Sequence, residues 1–305
     1  MTFLDEAQEK LRQGWGEASR AVADTAMESL RFVRDFARLC AEGSAQGWHE
    51  RNGGNLSYRL TSENVEAARR FFDKEPGEWQ PLGVSVPTLG GAHFLVTGAG
   101  KCLWRVADDP KGTCGIVELD ATGTAYRRVW GLADGGRPTS ELPSHLLNCA
   151  ARMAATDDAC RVLYHGHPAS VLAMTALAPL ETAAFTRALW ATMPEGIVMF
   201  PEGVGVVPWM TPGGPEIAEA TAALMANHAA VVWANHGLFV TAPDFNAAFG
   251  LFSAVTKAAD IHLRARAANG GSPDFPHTAS AEDLRHLAQT AGVADRLPEW
   301  MELES

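Results

Sequence analysis

The chain has 305 residues, of which 47% are hydrophobic and 20% are charged, and its formal net charge at pH 7 is −11. This composition is typical of a globular protein with one large domain or two small ones. An acidic chain without basic runs is poorly suited to binding nucleic acid or anionic membranes, so we expect neither as a partner.

The sequence shows no pattern of a targeting or membrane-spanning segment. Asp5 and Glu6 stand where a signal peptide would be basic and then apolar, and no stretch approaches about 20 uninterrupted apolar residues. The five cysteines are scattered and form no CxxC pair. This pattern favours free thiols in a reducing compartment, and we expect a cytoplasmic protein.

Hydrophobic periodicity divides the chain into alternating helices and strands. Residues 5–24 have the pattern of an amphipathic helix, and Thr25 with Glu28 resembles a capping box that would begin a second helix. Further helices are predicted near residues 65–72, 138–157, 183–193, 215–227 and 244–268 and from residue 280. Strands are predicted at residues 56–60, 93–97, 115–120, 126–130, 161–164, 197–200, 204–207, 229–233 and 238–240.

Two glycine-containing loops adjoin predicted strands. The first contains Asn52, Gly54 and Asn55, and it reads as a turn whose glycines let a ligand approach the backbone. The second, Gly98 to Gly100, follows a strand and resembles an anion-binding loop. The spacing of neither a P-loop nor a GxGxxG motif is present, so we do not predict a nucleotide site.

Thr139, Ser140 and Glu141 precede a predicted helix. Thr139 or Ser140 is expected to cap it, and Pro143 suits the first turn, where a missing N–H has no cost. A helix start of this kind has a purely structural interpretation. It also exposes N–H groups and two hydroxyls to an anion, with a carboxylate beside them.

The sequence His165-Gly166-His167 ends a short, β-prone, apolar strand. Because side chains alternate with period two along a strand, both imidazoles point to the same side. Two adjacent imidazoles on a rigid strand suit a divalent metal. His236, at the end of another predicted strand, is a candidate third ligand. The other seven histidines have no partner at ligand spacing, and we interpret them as structural or solvated.

Five motifs together resemble the class II aldolase/adducin family, in the family's order and at similar spacing. The resemblance covers roughly residues 28–290. The motifs are Glu-Arg-Asn-Gly-Gly-Asn-Leu-Ser (50–57), Val-Thr-Gly-Ala-Gly-Lys (96–101), Pro-Thr-Ser-Glu-Leu-Pro-Ser-His (138–145), His-Gly-His (165–167) and Trp-Ala-Asn-His-Gly (233–237).

This resemblance implies a fold and an assembly. The expected fold is a single α/β domain with a central, mainly antiparallel sheet covered by helices. It would span residues 28–305, after a helical extension over residues 1–27. Four copies would form a homotetramer with active sites at the subunit interfaces.

The resemblance also implies a set of site residues. One zinc ion per subunit would be held by His165, His167 and His236. Glu141 would be the acid/base beside the metal, and Glu195 would reach the site of a neighbouring subunit. The residues implied to hold the substrate and its phosphate are Asn52, Gly54, Asn55, Gly98, Thr139 and Ser140.

The implied activity is cleavage of a ketose 1-phosphate to dihydroxyacetone phosphate and an aldehyde, through an enediolate that zinc stabilises. One departure is Ala99, where the most similar members of the family usually have a phosphate-binding serine. A lost hydrogen bond to a charged group weakens binding by about 1.5–3 kcal/mol, although the backbone donors of the loop would remain. Two alternatives stay open: an aldolase or 4-epimerase for another sugar phosphate, and a non-catalytic binding module like the adducin head.

Overall fold

A single nine-stranded sheet forms the centre of the molecule. The structure is a computed structural model that describes residues 26–133 and 135–301. The nine strands are β1 (Asn55–Arg59), β2 (Gln80–Pro81), β3 (His93–Thr97), β4 (Cys114–Leu119), β5 (Ala125–Gly131), β6 (Val162–Gly166), β7 (Val204–Val207), β8 (Ala230–Trp233) and β9 (Gly237–Ala242). They lie in the order β2-β5-β4-β3-β1-β6-β9-β8-β7. All neighbouring strands are antiparallel except β7 and β8.

Helices cover both faces of the sheet. The ten α-helices of the described chain are α1 (Arg31–Ala45), α2 (Ser62–Arg69), α3 (Pro110–Thr113), α4 (Leu142–Ala155), α5 (Ala169–Thr175), α6 (Thr182–Thr192), α7 (Gly196–Met199), α8 (Pro215–Met225), α9 (Phe245–Ala268) and α10 (Ala281–Thr290). Short 3₁₀ turns occupy Met27–Ser29, Pro87–Leu89, Leu103–Arg105, Ala294–Arg296 and Glu299–Met301. The prediction of a mainly antiparallel sheet covered by helices is confirmed. Within the described residues, no helix has both the length and the apolarity needed to cross a bilayer.

Strand alternation divides the hydrophobic core into two layers. On β6, Val162 and Tyr164 pack in the layer that α1, α6 and α9 cover, whereas Leu163 packs in the layer that α4 and α8 cover. His165 is therefore on the second face, beneath α4. Full burial of one large apolar side chain contributes about 1.5–3 kcal/mol, so both layers hold β6 firmly in place.

Two predicted helix starts are confirmed. Asp244 caps α9 by accepting a hydrogen bond from the Ala247 amide. Ser280 and Asp283 form a capping box at the start of α10. Such caps can be predicted from sequence because the capping side chain lies within a few residues of the free N–H groups that it binds.

Three local predictions were wrong. The helix expected from the Thr25 capping box begins only at Arg31, and Thr25 itself lies outside the described residues, as does most of the predicted extension over residues 1–27. The strand predicted at residues 197–200 is the short helix α7, because a brief buried apolar run carries no period that distinguishes the two. Neither Thr139 nor Ser140 caps α4, whose N-cap position is Glu141.

Candidate metal and substrate site

The register of the central strands brings the predicted site residues to one edge of the sheet. Asn55 at the start of β1 pairs with His165 near the end of β6. β1 also pairs with β3, whose last residue, Thr97, leads into the Gly98 loop. An isolated β-bridge joins Gly98 to Pro138, and the Thr139 amide donates to the Thr97 carbonyl. Antiparallel pairing thus places three distant motifs side by side.

His165 and His167 are oriented by hydrogen bonds to the ring nitrogens that face away from the site. His165 Nδ1 lies 3.0 Å from the Leu238 carbonyl oxygen, and His167 Nδ1 lies 2.6 Å from Oε1 of Glu50. A carbonyl and a carboxylate only accept, so both Nδ1 atoms donate. In the neutral imidazoles both Nε2 atoms then carry a lone pair, as metal-binding nitrogens do.

His236 lies in the turn between β8 and β9. In this turn Asn235 adopts a left-handed backbone conformation (φ 56°). The Asn235 amide donates to Thr175 Oγ1 at 3.0 Å. His236 Nε2 is directed at His165 Nε2, 3.4 Å away. His236 Nδ1 is buried and has no hydrogen-bond partner among the described residues.

The three Nε2 atoms form a group that fits a cation. His165 Nε2 lies 3.2 Å from His167 Nε2, and the ligand atoms of all three histidines lie within 4.8 Å of one another. When both rings are neutral, the Nε2 atoms of His165 and His167 both carry lone pairs, and no proton joins them. A positive ion between the rings would satisfy this arrangement, with nitrogen donors of the kind that Zn²⁺ prefers.

Burial favours the neutral forms of His165 and His236. Desolvation lowers the pKa of His165 well below its usual range, and neighbouring His167 and His236 lower it further. Desolvation also lowers the pKa of His236, although the nearby Glu141 carboxylate opposes that change. Neutral imidazole is the form that ligates a metal, so the two groups need not lose a proton at neutral pH.

Glu141 is an acidic side chain that lies beside His165 and His236. Its side chain is largely buried, and its Oε2 and Oε1 lie 3.7 Å from His165 Nε2 and 4.0 Å from His236 Nε2, respectively. Its Oε2 accepts a hydrogen bond of 2.8 Å from Asn55 Nδ2. The carboxylate is therefore close enough to reach either a metal or a ligand bound there.

Glu50 is a site residue to which sequence reasoning gave no separate role. Burial raises the pKa of the Glu50 carboxyl, but the hydrogen bond with His167, together with other nearby hydrogen-bond and charge interactions, lowers that pKa overall. Glu50 lies in one of the recognised motifs, yet the contact joins residues 117 positions apart. Local spacing cannot predict a contact between residues this far apart in sequence.

The Glu50→Ala variant is expected to bind Zn²⁺ about tenfold more weakly, at the low end of the range for such outer partners of a ligating histidine. The low end applies because the Glu50 side chain is 65% exposed, so water screens its charge and can replace its hydrogen bond. Competition with a chromogenic chelator measures the affinity. Glu63→Ala is the matched control, since Glu63 is an exposed residue on α2. Equal affinities in the two variants would contradict a role for Glu50 in orienting His167.

The loop that carries Asn52 and Gly54 lies against the histidines. A Cβ atom on Gly54, where φ is +74°, would lie 2.7 Å from the His165 carbonyl oxygen. Glycine is therefore required there both for conformation and for space. His49 supports the loop from behind, because its Nδ1 donates to the Gly53 carbonyl at 3.1 Å while its Nε2 accepts from Tyr164 Oη at 2.6 Å. Asn52 is exposed.

The Gly98–Gly100 loop has fewer available donors than the sequence suggested. The Gly98 amide donates to the Thr113 carbonyl, and the Ala99 amide donates to the Arg137 carbonyl. Among the described residues, the Gly100 amide is the one in this loop with no hydrogen-bond partner. The expectation that the whole loop backbone could compensate for the missing serine at Ala99 is therefore wrong, because the Gly98 and Ala99 amides already donate to carbonyls of two other segments.

Thr139 and Ser140 remain able to donate. Thr139 Oγ1 accepts from the Glu141 amide at 3.3 Å, which leaves its own hydroxyl proton available. Ser140 is exposed at the same edge.

Glu195 stands apart from this group. It is exposed immediately before α7, and it is not among the described side chains that contact the three histidines. A single subunit therefore brings together the histidines and Glu141 without Glu195.

The chain is similar to known proteins over most of its length. The family model described as "Class II Aldolase and Adducin N-terminal domain" matches residues 34–263. A rhamnulose-1-phosphate aldolase of Pectobacterium atrosepticum is 39% identical over 268 residues, covering 88% of this chain and 96% of that protein. One of Escherichia coli O1:K1 is 38% identical over 262 residues, with coverages of 86% and 94%.

Solved structures give the same fold at lower identity. A sugar-phosphate aldolase from Thermotoga maritima superposes with a TM-score of 0.66 at 23% identity, covering 80% of this chain and 98% of that chain. An L-fuculose-1-phosphate aldolase from Thermus thermophilus gives a TM-score of 0.52 at 20% identity, with coverages of 80% and 99%. At these identities the similarity establishes the fold alone.

Proposed function

Because the chain belongs to the class II aldolase/adducin family, we propose that it is a zinc-dependent rhamnulose-1-phosphate aldolase of rhamnose degradation. The proposed reaction is the reversible cleavage of L-rhamnulose 1-phosphate to dihydroxyacetone phosphate and L-lactaldehyde. Class II, metal-dependent cleavage of a sugar phosphate is the activity that the family, the relatives and the three histidines support together. The observation that carries the proposal is the convergence of those histidines, with Glu141 3.7 Å from one of them.

The proposed metal ligands are His165, His167 and His236, with one Zn²⁺ per subunit. Three neutral nitrogen donors keep the full charge of the ion and leave coordination positions open for substrate. When bound, the metal would act as a Lewis acid on the negative charge that develops at the ketone oxygen as the carbon–carbon bond breaks.

The chain's own residues would position the substrate and move its protons. Thr139 and Ser140 donate to the phosphate, and Asn52, Gly54, Asn55 and Gly98 complete the pocket around the dihydroxyacetone portion. Glu141 protonates the carbon next to the ketone during cleavage and removes that proton during condensation. Fixing the phosphate away from the histidines holds the reacting bond beside Glu141.

Glu195 of a neighbouring subunit would take the proton of the C4 hydroxyl as the bond breaks. The exposure of Glu195 at the start of α7 supports this assignment, because an acid outside its own subunit's site is available to another. The proposed assembly is a homotetramer with sites at its interfaces. The proposed location is the cytoplasm, where the five unpaired cysteines would stay reduced.

Subunit mixing tests the interface assignment. Glu195→Ala and Glu141→Ala chains are each expected to be inactive alone. Hybrids that contain both chains are expected to recover activity, because some interfaces then contain one intact Glu141 and one intact Glu195. Native mass spectrometry establishes that hybrids form, and mixtures of each variant with itself are the controls. An absence of recovery in proven hybrids would place both acids in one subunit's site.

A substrate panel tests the function itself. The purified protein, loaded with Zn²⁺, is given several ketose 1-phosphates, including L-rhamnulose and L-fuculose 1-phosphate, and release of dihydroxyacetone phosphate is followed with a coupled dehydrogenase. The proposal predicts the highest kcat/KM with L-rhamnulose 1-phosphate and no release after chelation. Preference for another ketose would reject L-rhamnulose 1-phosphate as the substrate. Formation of an epimer without an aldehyde would reject the aldolase reaction. The absence of product from every sugar would reject the catalytic function.

A further inference from the structure

A line of buried polar side chains runs from Glu141 into the interior. Asn55 Nδ2 lies 2.8 Å from Glu141 Oε2, and Asn55 Oδ1 contacts His145 Nε2. On the far side of the ring, His145 Nδ1 lies 2.7 Å from Ser57 Oγ. His145 and Ser57 are fully buried, at 0% exposure, so these contacts are shielded from water.

The direction of each hydrogen bond follows from the acceptor at the end of the line. The Glu141 carboxylate accepts, so the Asn55 amide nitrogen must donate to it, and the Asn55 carbonyl oxygen must face His145. Since that oxygen also only accepts, His145 Nε2 carries a proton. In a neutral ring His145 Nδ1 is then an acceptor, and the Ser57 hydroxyl donates to it. All three bonds point toward Glu141.

The surroundings of His145 favour the neutral ring that this direction requires. Burial lowers the pKa of His145 to about 3, and the opposing effect of the Glu141 carboxylate does not restore it. The ring also packs edge-on against Phe239, with centroids 4.9 Å apart. Hydrogen bonds that point the same way in a low-dielectric interior strengthen one another.

We propose that His145 is a positioning residue for Glu141, and that it acts by holding the amide of Asn55 in the one orientation that donates to Glu141. With Oε2 engaged in this way, Oε1 remains directed at the His236 side of the site, 4.0 Å from Nε2. Without the proton on His145 Nε2, the Asn55 amide could rotate and present its oxygen to the carboxylate, which would repel it. This inference rests on the proposed function only in the assignment of Glu141 as the acid/base.

Two nearly isosteric variants separate positioning from the filling of space. His145→Gln keeps an amide N–H that can donate to Asn55, whereas His145→Met fills a similar volume without a donor. The readout is exchange of the α-proton of dihydroxyacetone phosphate with deuterated water, followed by proton NMR. We expect His145→Met to lose about 10- to 100-fold in exchange rate, as misplaced catalytic groups do. His145→Gln should retain most of the rate. The dissociation constant of dihydroxyacetone phosphate should change less than the rate in both variants. Equal losses in the two folded variants would overturn the proposal.

The tautomer of His145 gives a test that needs no active variant. In ¹⁵N-histidine-labelled protein, Nε2 of His145 is expected at a protonated-nitrogen shift and Nδ1 at an unprotonated one. The Ser57→Ala variant identifies the signal, because it perturbs Nδ1 alone. The opposite tautomer, or a doubly protonated ring, would overturn the inference even if neither His145 variant folds. Wild-type protein that fails to exchange the α-proton would instead reject the proposed aldolase chemistry, while the tautomer measurement still decides the hydrogen-bond direction.

Discussion

The Glu141→Gln variant is expected to exchange the α-proton of dihydroxyacetone phosphate about 10²–10⁴-fold more slowly than the wild type, the usual loss when a general acid/base is removed. The amide has the shape of the carboxylate but cannot transfer that proton. Binding of zinc and of dihydroxyacetone phosphate should survive, since the three histidines and the Thr139–Ser140 hydroxyls are unchanged. Proton NMR in deuterated water, with no aldehyde present, isolates this step.

Glu195→Gln is the matched control for that experiment. We propose that Glu195 acts on the aldehyde side, so this variant should lose cleavage of the full substrate while its α-proton exchange continues. A merely structural Glu141, at the N-cap of α4 without a capping hydrogen bond, would contribute only about 0.3–1 kcal/mol through the helix dipole. Glu141→Gln would then exchange the proton within a few-fold of the wild-type rate, and that result would exclude Glu141 as the acid/base.

Replacing His236 by alanine is expected to lower zinc occupancy and abolish cleavage while the protein stays folded. The site would keep two ligands of three, and the open coordination sphere would bind the ion much more weakly. The fold should tolerate the change because His236 lies in a turn, and its Nδ1 makes no hydrogen bond to any part of the chain that the structure describes. Metal analysis by inductively coupled plasma mass spectrometry measures occupancy, and circular dichroism checks the fold.

His262→Ala is the matched control for His236→Ala. His262 is also a largely buried histidine, but it lies on α9 and its Nδ1 is 3.0 Å from the Ala188 carbonyl oxygen, so it has no part in the three-histidine group. The His262→Ala variant should keep its full zinc content even if its thermal stability falls. Full zinc and full activity in His236→Ala would remove His236 from the ligand set.

Local sequence patterns determined much of the scaffold. The period of two along a strand put His165 and His167 on one side, and the structure places their Nε2 atoms 3.2 Å apart. The caps at Asp244 and Ser280 marked the starts of α9 and α10 correctly. These features are readable in sequence because each depends on residues a few positions apart, whose relative placement the backbone geometry already sets.

The contacts that orient the site were decided only by the tertiary structure. Glu50 reaches His167 across 117 positions, and His145 reaches Asn55 across 90. His145 lies in the same motif as Glu141, and its full burial fits the interpretation as a structural histidine, but its contact with Asn55 is visible only in the tertiary structure. In the same way, the Gly98 and Ala99 amides donate to the carbonyls of Thr113 and Arg137, which lie in other segments. Long-range packing of both core layers selects the strand register. The register brings these residues together, and it cannot be predicted from the residues that neighbour them in sequence.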